Sequence, residues 1–124
     1  MSDFGKLLTA VITPFDKNGV LNTDTLWRLC KKLVHEKSDG LVLSGTTGES
    51  PNLTKEDRKI IYSTAKDSVG DKAKIIAGTG TYSTKESIEY TKMANDLGVD
   101  GIMIVTPYYS KPSQIGILQH FDFL

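Results

Sequence analysis

The sequence predicts an α/β fold built around a parallel sheet. Short apolar runs alternate with segments whose apolar residues recur at helical spacing, and this alternation occurs four times along the 124 residues. Each unit is about 30 residues long, which is typical of a parallel βα repeat. Because the predicted strands are apolar on both faces, they fit a sheet covered by helices. Four such units are compatible with a doubly wound sheet or with half of a (β/α)8 barrel.

The first predicted unit is a strand over residues 7–15, followed by a helix that begins at Asn22 or Thr23. The strand is mostly apolar, and the DKNG sequence of residues 16–19 is a strong turn signal. Asparagine and threonine are both good helix N-caps. The predicted core-facing stripe of this helix consists of Leu26, Leu29, Cys30, Leu33 and Val34.

The second unit carries the strongest functional signal, the GTTGES loop of residues 45–50. It lies between a strand over residues 40–44 and a helix that starts at Thr54, an arrangement that places small anions at the carboxyl end of a strand. We expect its two glycines to adopt backbone angles that other residues resist. Thr46 and Thr47 then offer hydroxyl and N–H groups to a carboxylate. A simple turn has a similar composition, so both interpretations stay open here.

The remaining elements follow the same pattern. Ile61, Ala65 and Val69 form the apolar stripe of the second helix, which Gly70 ends. The third unit is a strand over residues 74–78 and a helix that Ser83 and Glu86 open as a capping box and Gly98 closes. The fourth is a strand over residues 101–105 and a helix that begins near Ser113 and is expected to continue to Leu124.

Composition and motifs exclude several functional classes. The 15 basic and 15 acidic residues cancel and are scattered, so no nucleic-acid partner is expected. The single cysteine, Cys30, forms neither a disulfide nor a cysteine-based zinc site, and no metal or cofactor is expected. No signal peptide is visible and the longest apolar run, residues 102–105, is too short for a bilayer, which predicts a cytoplasmic protein without membrane contact. Glu49 replaces the P-loop lysine, and Ser83 replaces the third glycine of a dinucleotide fingerprint.

Four segments together resemble the dihydrodipicolinate synthase family. They are LTAVITPF at residues 8–15, GTTGES at 45–50, IAGTG at 76–80, and VTPYY at 105–109 with KPS at 111–113. The similarity extends over residues 4–121, with the motifs in the family's order. It implies the N-terminal half of a (β/α)8 TIM barrel from a homo-oligomer, usually a tetramer. It also implies a lyase without cofactors that condenses pyruvate with aspartate semialdehyde through a Schiff base, in lysine and diaminopimelate biosynthesis.

The resemblance assigns roles to four residues. Thr46 would belong to a hydroxyl proton relay, and Thr47 would hold the pyruvate carboxylate through its hydroxyl and N–H groups. Tyr109 would reach across a dimer interface to complete the neighbour's relay, and Tyr108 would lie in that interface. Hydroxyl groups in such a relay can shuttle protons as Schiff bases form and collapse.

The family's Schiff-base lysine has no counterpart in this sequence. That lysine ends the sixth strand, and a further tyrosine and arginine follow the fifth, whereas Lys85 and Lys111 match other positions. We therefore expect residues 1–124 to be a single partial domain of four units, truncated within the fourth helix and inactive alone. Two alternatives stay open: a sister pyruvate aldolase acting on sialic acid or keto-deoxy sugar acids, and a non-catalytic half-barrel association module.

The resemblance also bears on feedback regulation. Family members that lysine inhibits tend to carry histidines near the start of the second helix, where this chain has Lys55 and Arg58. Tyr82 stands where those members often have asparagine, although Ser50 and Glu86 fit their pattern. Lys55 and Arg58 are expected to be solvated helix residues, and the sequence leaves sensitivity to lysine open.

Overall fold

The structure is a computed structural model that describes residues 3–124. Strands and helices alternate along the chain as β1 (Leu8–Ala10), α1 (Thr23–His35), β2 (Gly40–Leu43), α2 (Lys55–Val69), β3 (Lys74–Gly78), α3 (Thr84–Asp96), β4 (Gly101–Met103) and α4 (Gln114–Asp122). Short 3₁₀ turns at Ser50–Asn52 and Gly70–Lys72 flank α2.

The sheet is parallel throughout, with the strand order β1-β2-β3-β4. In its register Thr9 lies opposite Leu41, Leu41 opposite Ile75, and Ile76 opposite Gly101. Sequential neighbours in a parallel sheet require a crossover after every strand, and the helices supply these crossovers. The predicted α/β class is confirmed, and the carboxyl ends of all described strands meet at one edge.

The core lies between the sheet and helices α1 and α2. Both predicted helical stripes are confirmed: Leu26 and Cys30 of α1 are 1 % and 0 % exposed, and Leu29, Leu33 and Val34 pack against them partly buried. The buried stripe of α2 consists of Ile61, Tyr62, Ala65 and Val69. In the core it joins the buried strand residues Leu41, Leu43, Ile75 and Ala77. Each large aliphatic side chain buried here contributes about 1.5–3 kcal/mol. Burial also raises the pKa of the Cys30 thiol to about 11, which identifies it as an unreactive core residue.

Side-chain caps begin each helix. The Asn22 side chain accepts a hydrogen bond from the Thr25 N–H at 3.0 Å, which selects Asn22 from the two predicted caps. Thr54 and Asp57 form a reciprocal capping box at α2. The capping box predicted at Ser83 is half right: Ser83 accepts from the Glu86 N–H at 3.3 Å, whereas the Ser83 N–H donates to Thr81 Oγ1 at 3.0 Å.

Both edge strands are shorter than predicted. The first was expected over residues 7–15, but the chain leaves the sheet after the Val11 N–H bonds the Val42 carbonyl at 2.9 Å. Pro14 has no N–H for a sheet ladder, and Phe15 pairs instead with Leu21 across the 16–19 turn. The fourth strand ends at Met103 rather than at residue 105, since its neighbour β3 ends at Gly78.

The fourth helix ends at Asp122 and not at Leu124. Its cap residue is Phe123, whose N–H bonds the Gln119 carbonyl at 3.3 Å. The last carbonyls of a helix have no following N–H groups to accept, so the last residues of a helical segment fray.

We predict that two carboxylates stabilise the fold at neutral pH and cease to do so in acid. Asp39 Oδ2 accepts the Lys6 and Leu7 N–H groups, both at 2.8 Å. Asp100 Oδ2 accepts the Ile75 N–H at 2.9 Å, and its Oδ1 lies 2.9 Å from Lys74 Nζ. The N–H groups of Leu7 and Lys6 hold the pKa of Asp39 below its ordinary value of 3.8. Burial opposes this shift at Asp100, but the Ile75 N–H and Lys74 still lower the pKa of its carboxyl.

A carboxyl whose pKa is lowered by folding stabilises the protein above the pKa of the unfolded chain, and this stabilisation is lost as pH falls through the folded pKa. The substitutions Asp39→Asn and Asp100→Asn should therefore lower the free energy of unfolding at pH 7 and flatten its decline below about pH 4. Urea denaturation across this range measures both effects. Asp122→Asn, which changes an exposed residue of α4, is the control. If the free energy of unfolding of either test variant falls in acid as steeply as that of the wild type, that carboxylate does not stabilise the fold as predicted.

We also predict that the chain associates with itself. Within residues 3–124, β1 and β4 each pair on one side alone, and Leu8, Ile102 and Met103 on them are 41 %, 42 % and 41 % exposed. Unpaired apolar edges join other strands. Sedimentation at micromolar concentration should show species larger than a monomer, and Ile102→Lys should weaken association whereas Lys59→Glu, on exposed α2 surface, should not. A monomer that unfolds cooperatively would contradict the prediction.

Candidate functional site

The GTTGES loop connects β2 to α2 and is fixed to its surroundings at several points. The Glu49 N–H bonds the Thr46 carbonyl at 3.0 Å, and the Ser50 N–H bonds the Gly45 carbonyl at 3.2 Å. Thr13, in the segment that follows β1, donates its hydroxyl to the Gly48 carbonyl at 2.6 Å. The loop is therefore an ordered turn held against the neighbouring unit.

The glycines of this loop serve a purpose other than the predicted one. The left-handed residues are Ser44 and Glu49, with φ of 53° and 57°, and neither Gly45 nor Gly48 has a positive φ. Gly48 is closely packed, since a Cβ there would lie 3.0 Å from the Val11 carbonyl oxygen and 3.2 Å from the Ser44 nitrogen. Non-glycine residues in the left-handed region are uncommon and cluster at functional sites.

The glycines of the IAGTG motif also allow close packing. A Cβ on Gly78 would collide with the Ser44 carbonyl, and one on Gly80 would collide with the backbone nitrogen of Val105. Gly78 thus lets the end of β3 lie against the start of the GTTGES loop, and Gly80 lets the chain after β3 lie against the chain after β4. Three strand ends are brought together in this way.

A cavity of about 320 Å³ opens among these three strand ends. Its lining includes Thr46 and Ser50 from the loop, Gly78 and Gly80 from the third unit, and Tyr108 from the fourth. Thr46 is an exposed residue that lines the cavity, and Thr47 is exposed beside it in the same loop. Hydroxyl groups over a mostly apolar cavity at a strand edge can bind a small carboxylate or pass protons to it.

The two tyrosines of the fourth unit lie in different environments. Tyr108 lines the cavity, and its ring meets that of Tyr82 edge-on with centroids 5.4 Å apart. Tyr109 follows with a left-handed φ of 66° and is 94 % exposed. The structure therefore brings Thr46 and Tyr108 to one cavity, while Tyr109 lies at the same sheet edge with its side chain in solvent.

Sequence reasoning missed Arg58, which was expected to be a solvated helix residue. Only 2 % of Arg58 is exposed, and its guanidinium donates to the Gly78 carbonyl at 2.7 Å and to the Ser50 carbonyl at 2.8 Å. Tyr62, one turn later, donates its hydroxyl to the same Gly78 carbonyl at 3.0 Å, and burial raises the pKa of its phenol. The signal was available, because Arg58 and Tyr62 lie at i and i+4 on the face that carries Ile61 and Ala65.

The other residues considered for regulation lie nearer the surface. Lys55 is exposed and lies 3.4 Å from Glu89 Oε2, as expected for a solvated residue. Tyr82 is 57 % exposed. Glu86 Oε2 lies 3.4 Å from Thr81 Oγ1, and the carbonyl of Ser50 accepts from Arg58.

Residues 3–124 contain neither a metal-binding cluster nor a helix suited to a membrane. No group of three or more His, Cys, Asp and Glu side chains in residues 3–124 is placed to hold a metal ion. Among the helices described for this chain, none has both the length and the apolar character needed to cross a membrane.

Comparisons with known proteins agree with these motifs. The model of the dihydrodipicolinate synthetase family matches residues 3–124. The 4-hydroxy-tetrahydrodipicolinate synthase of Desulforudis audaxviator is 55 % identical over 119 residues, which are 96 % of this chain and 40 % of the relative. The corresponding enzyme of Moorella thermoacetica is 53 % identical over 95 % of this chain and 40 % of its own length. The chain thus spans about 40 % of the curated relatives that it matches.

A solved structure shows the same architecture. The crystal structure of a dihydrodipicolinate synthase from Bacillus anthracis superposes with a TM-score of 0.94 at 44 % identity, over 99 % of this chain and 42 % of that one. The expected fold class is confirmed: the four parallel βα units are the N-terminal half of a (β/α)8 barrel. This chain belongs to the dihydrodipicolinate synthetase family.

Proposed function

We propose that this chain supplies the carboxylate-binding loop and part of the proton relay of a 4-hydroxy-tetrahydrodipicolinate synthase. The reaction is the condensation of pyruvate with aspartate semialdehyde through a Schiff base, in lysine and diaminopimelate biosynthesis. The observation that carries the proposal is the position of Thr46, which lines the cavity where three strand ends meet, and of Thr47, which is exposed next to it in the same loop. Catalytic groups of barrels of this class come from loops at that edge.

In this proposal Thr47 binds the pyruvate carboxylate through its hydroxyl and backbone N–H. Hydrogen bonds to a charged acceptor contribute about 1.5–3 kcal/mol, enough to hold a small anion without a metal. Thr46 passes a proton towards the reacting carbon and receives it from the hydroxyl of Tyr109 on a neighbouring copy. The 94 % exposure of Tyr109 supports this role, since its side chain is free to reach another chain. Tyr108 lies in the same interface.

The protein that contains this chain is proposed to act in the cytoplasm as a homo-oligomer. The Schiff-base lysine of the family has no counterpart among the motifs of this sequence. Without an activated amine no enamine forms on pyruvate, so Thr46 and Thr47 can bind the substrate but cannot start the reaction. We therefore propose that this chain alone is inactive.

The first test of the proposed function concerns the covalent step. Borohydride treatment with pyruvate, followed by intact-mass measurement, should show no added mass on this chain. The full-length relative from Desulforudis audaxviator, treated in parallel, is the positive control. A pyruvate-sized increase on a single lysine of this chain would show that an activated amine lies within it and would overturn the proposed division of the site.

The second test concerns the carboxylate-binding loop. Titration of pyruvate into the labelled chain should shift the amide signals of residues 45–50, and Thr47→Val should weaken binding about tenfold, the equivalent of one charge-assisted hydrogen bond. Thr64→Val, on α2, is the matched control and should bind as the wild type does. If the Thr47 variant binds pyruvate as tightly as the wild type does, Thr47 does not bind the pyruvate carboxylate.

A further inference from the structure

We propose that Arg58 is a positioning residue that holds the GTTGES loop against the end of β3 and makes the cavity favour anionic ligands. Its two donor nitrogens bond carbonyls of two separate elements, Gly78 at the end of β3 and Ser50 in the turn after the loop. Both residues line the cavity. The guanidinium therefore lies directly behind the cavity wall and joins its two sides.

The geometry is specific to an arginine. A guanidinium presents its N–H groups as a rigid fork, so that two acceptors in different directions are bound by one group. The bonds of 2.7 and 2.8 Å have the short lengths of charge-assisted hydrogen bonds. A lysine ammonium is a point charge on a flexible stem and cannot hold both carbonyls in the same fixed relation.

The positive charge of Arg58 has no acidic partner among residues 3–124. The ion pairs described there join Lys32 to Glu36, Lys55 to Glu89 and Lys74 to Asp100. Arg58 meets the face of the Tyr90 ring at 4.6 Å, and its Nε has no hydrogen-bond partner. A buried charge without a counterion is costly, and an anion in the adjoining cavity would offset that cost.

A second polar group, Ser44, is buried on the same wall. It lines the cavity and is 2 % exposed, and the polar group beside its side chain is the Tyr62 hydroxyl, which donates to the Gly78 carbonyl. It also has a left-handed φ of 53°, and its carbonyl occupies the space that a Cβ on Gly78 would need. A hydroxyl is both a donor and an acceptor, so the Ser44 side chain can also donate to an anion in the cavity. Ser44 and Arg58 together make this wall suited to a small carboxylate.

The choice of pyruvate as the ligand rests on the proposed function, but the positioning of the loop does not. A merely structural arginine would affect stability alone. A positioning arginine also affects the order of residues 45–50 and the preference for a charged ligand over its neutral ester. The order of the loop and the preference for a charged ligand therefore distinguish a positioning arginine from a merely structural one.

The experiment compares the wild-type chain with Arg58→Met, which removes charge and donors, Arg58→Lys, which keeps the charge, and Lys59→Met, an exposed control. Amide hydrogen exchange of residues 45–50 is measured against that of β2. We expect loop exchange to rise about tenfold in both Arg58 variants, with β2 unchanged, because the fork is lost in each. Lys59→Met should match the wild type.

The same proteins are titrated with pyruvate and with methyl pyruvate. The wild type and Arg58→Lys should bind pyruvate more tightly than methyl pyruvate. In Arg58→Met the ratio of the two affinities should be about tenfold smaller. Loop exchange equal to wild type, or a rise spread equally over β2, overturns the positioning role. If Arg58→Met does not fold, the amide exchange of residues 45–50 in Arg58→Lys decides whether Arg58 positions the loop. A wild type that binds neither ligand contradicts the proposed function and the anion preference, while the exchange result still decides the positioning role.

Discussion

The carbonyl oxygen of Gly78 is the point on which the candidate site depends. It ends β3, and it accepts hydrogen bonds from Arg58 at 2.7 Å and from Tyr62 at 3.0 Å, both on α2. The absence of a side chain at Gly78 lets the Ser44 backbone lie against it. A carbonyl at the end of a buried strand has no further sheet partner, and its desolvation must be offset by donors from elsewhere. Satisfying this one acceptor fixes the relative positions of β3, the GTTGES loop and α2.

The two edges of the sheet serve different purposes. At the amino-terminal edge, Asp39 and Asp100 each precede a strand and accept N–H groups at the start of another strand of the sheet. These carboxylates hold strand ends in register and carry the acid dependence of stability. At the opposite edge the polar side chains are hydroxyls, several of them on exposed residues, together with the buried guanidinium of Arg58. Barrels of this class separate stability and chemistry between their two faces in the same way.

The fold could be predicted from the sequence largely because its signals are local. Helical spacing gave the stripes of α1 and α2, and Thr54 and Gly70 marked the ends of α2, as the structure confirms. The predicted strand ends are less accurate. The end of β4 is set by the end of its neighbour β3, which is distant in the sequence. Their charge predicts that Lys55 and Arg58 are solvated, which is right for Lys55 and wrong for Arg58. Arg58 is buried because two carbonyls, one of them 20 residues away, require donors.

The candidate site shows the same division between local and non-local information. The motifs located Thr46, Thr47, Tyr108 and the glycines, but composition could not separate glycines needed for positive φ from glycines needed for close packing. In the site, positive φ occurs instead at Ser44, Glu49 and Tyr109, none of which is a glycine. A strained tyrosine that is 94 % exposed gains nothing from the packing of its own chain. In the proposed function this ring is received by a neighbouring copy, and a contact of that kind would offset the backbone strain.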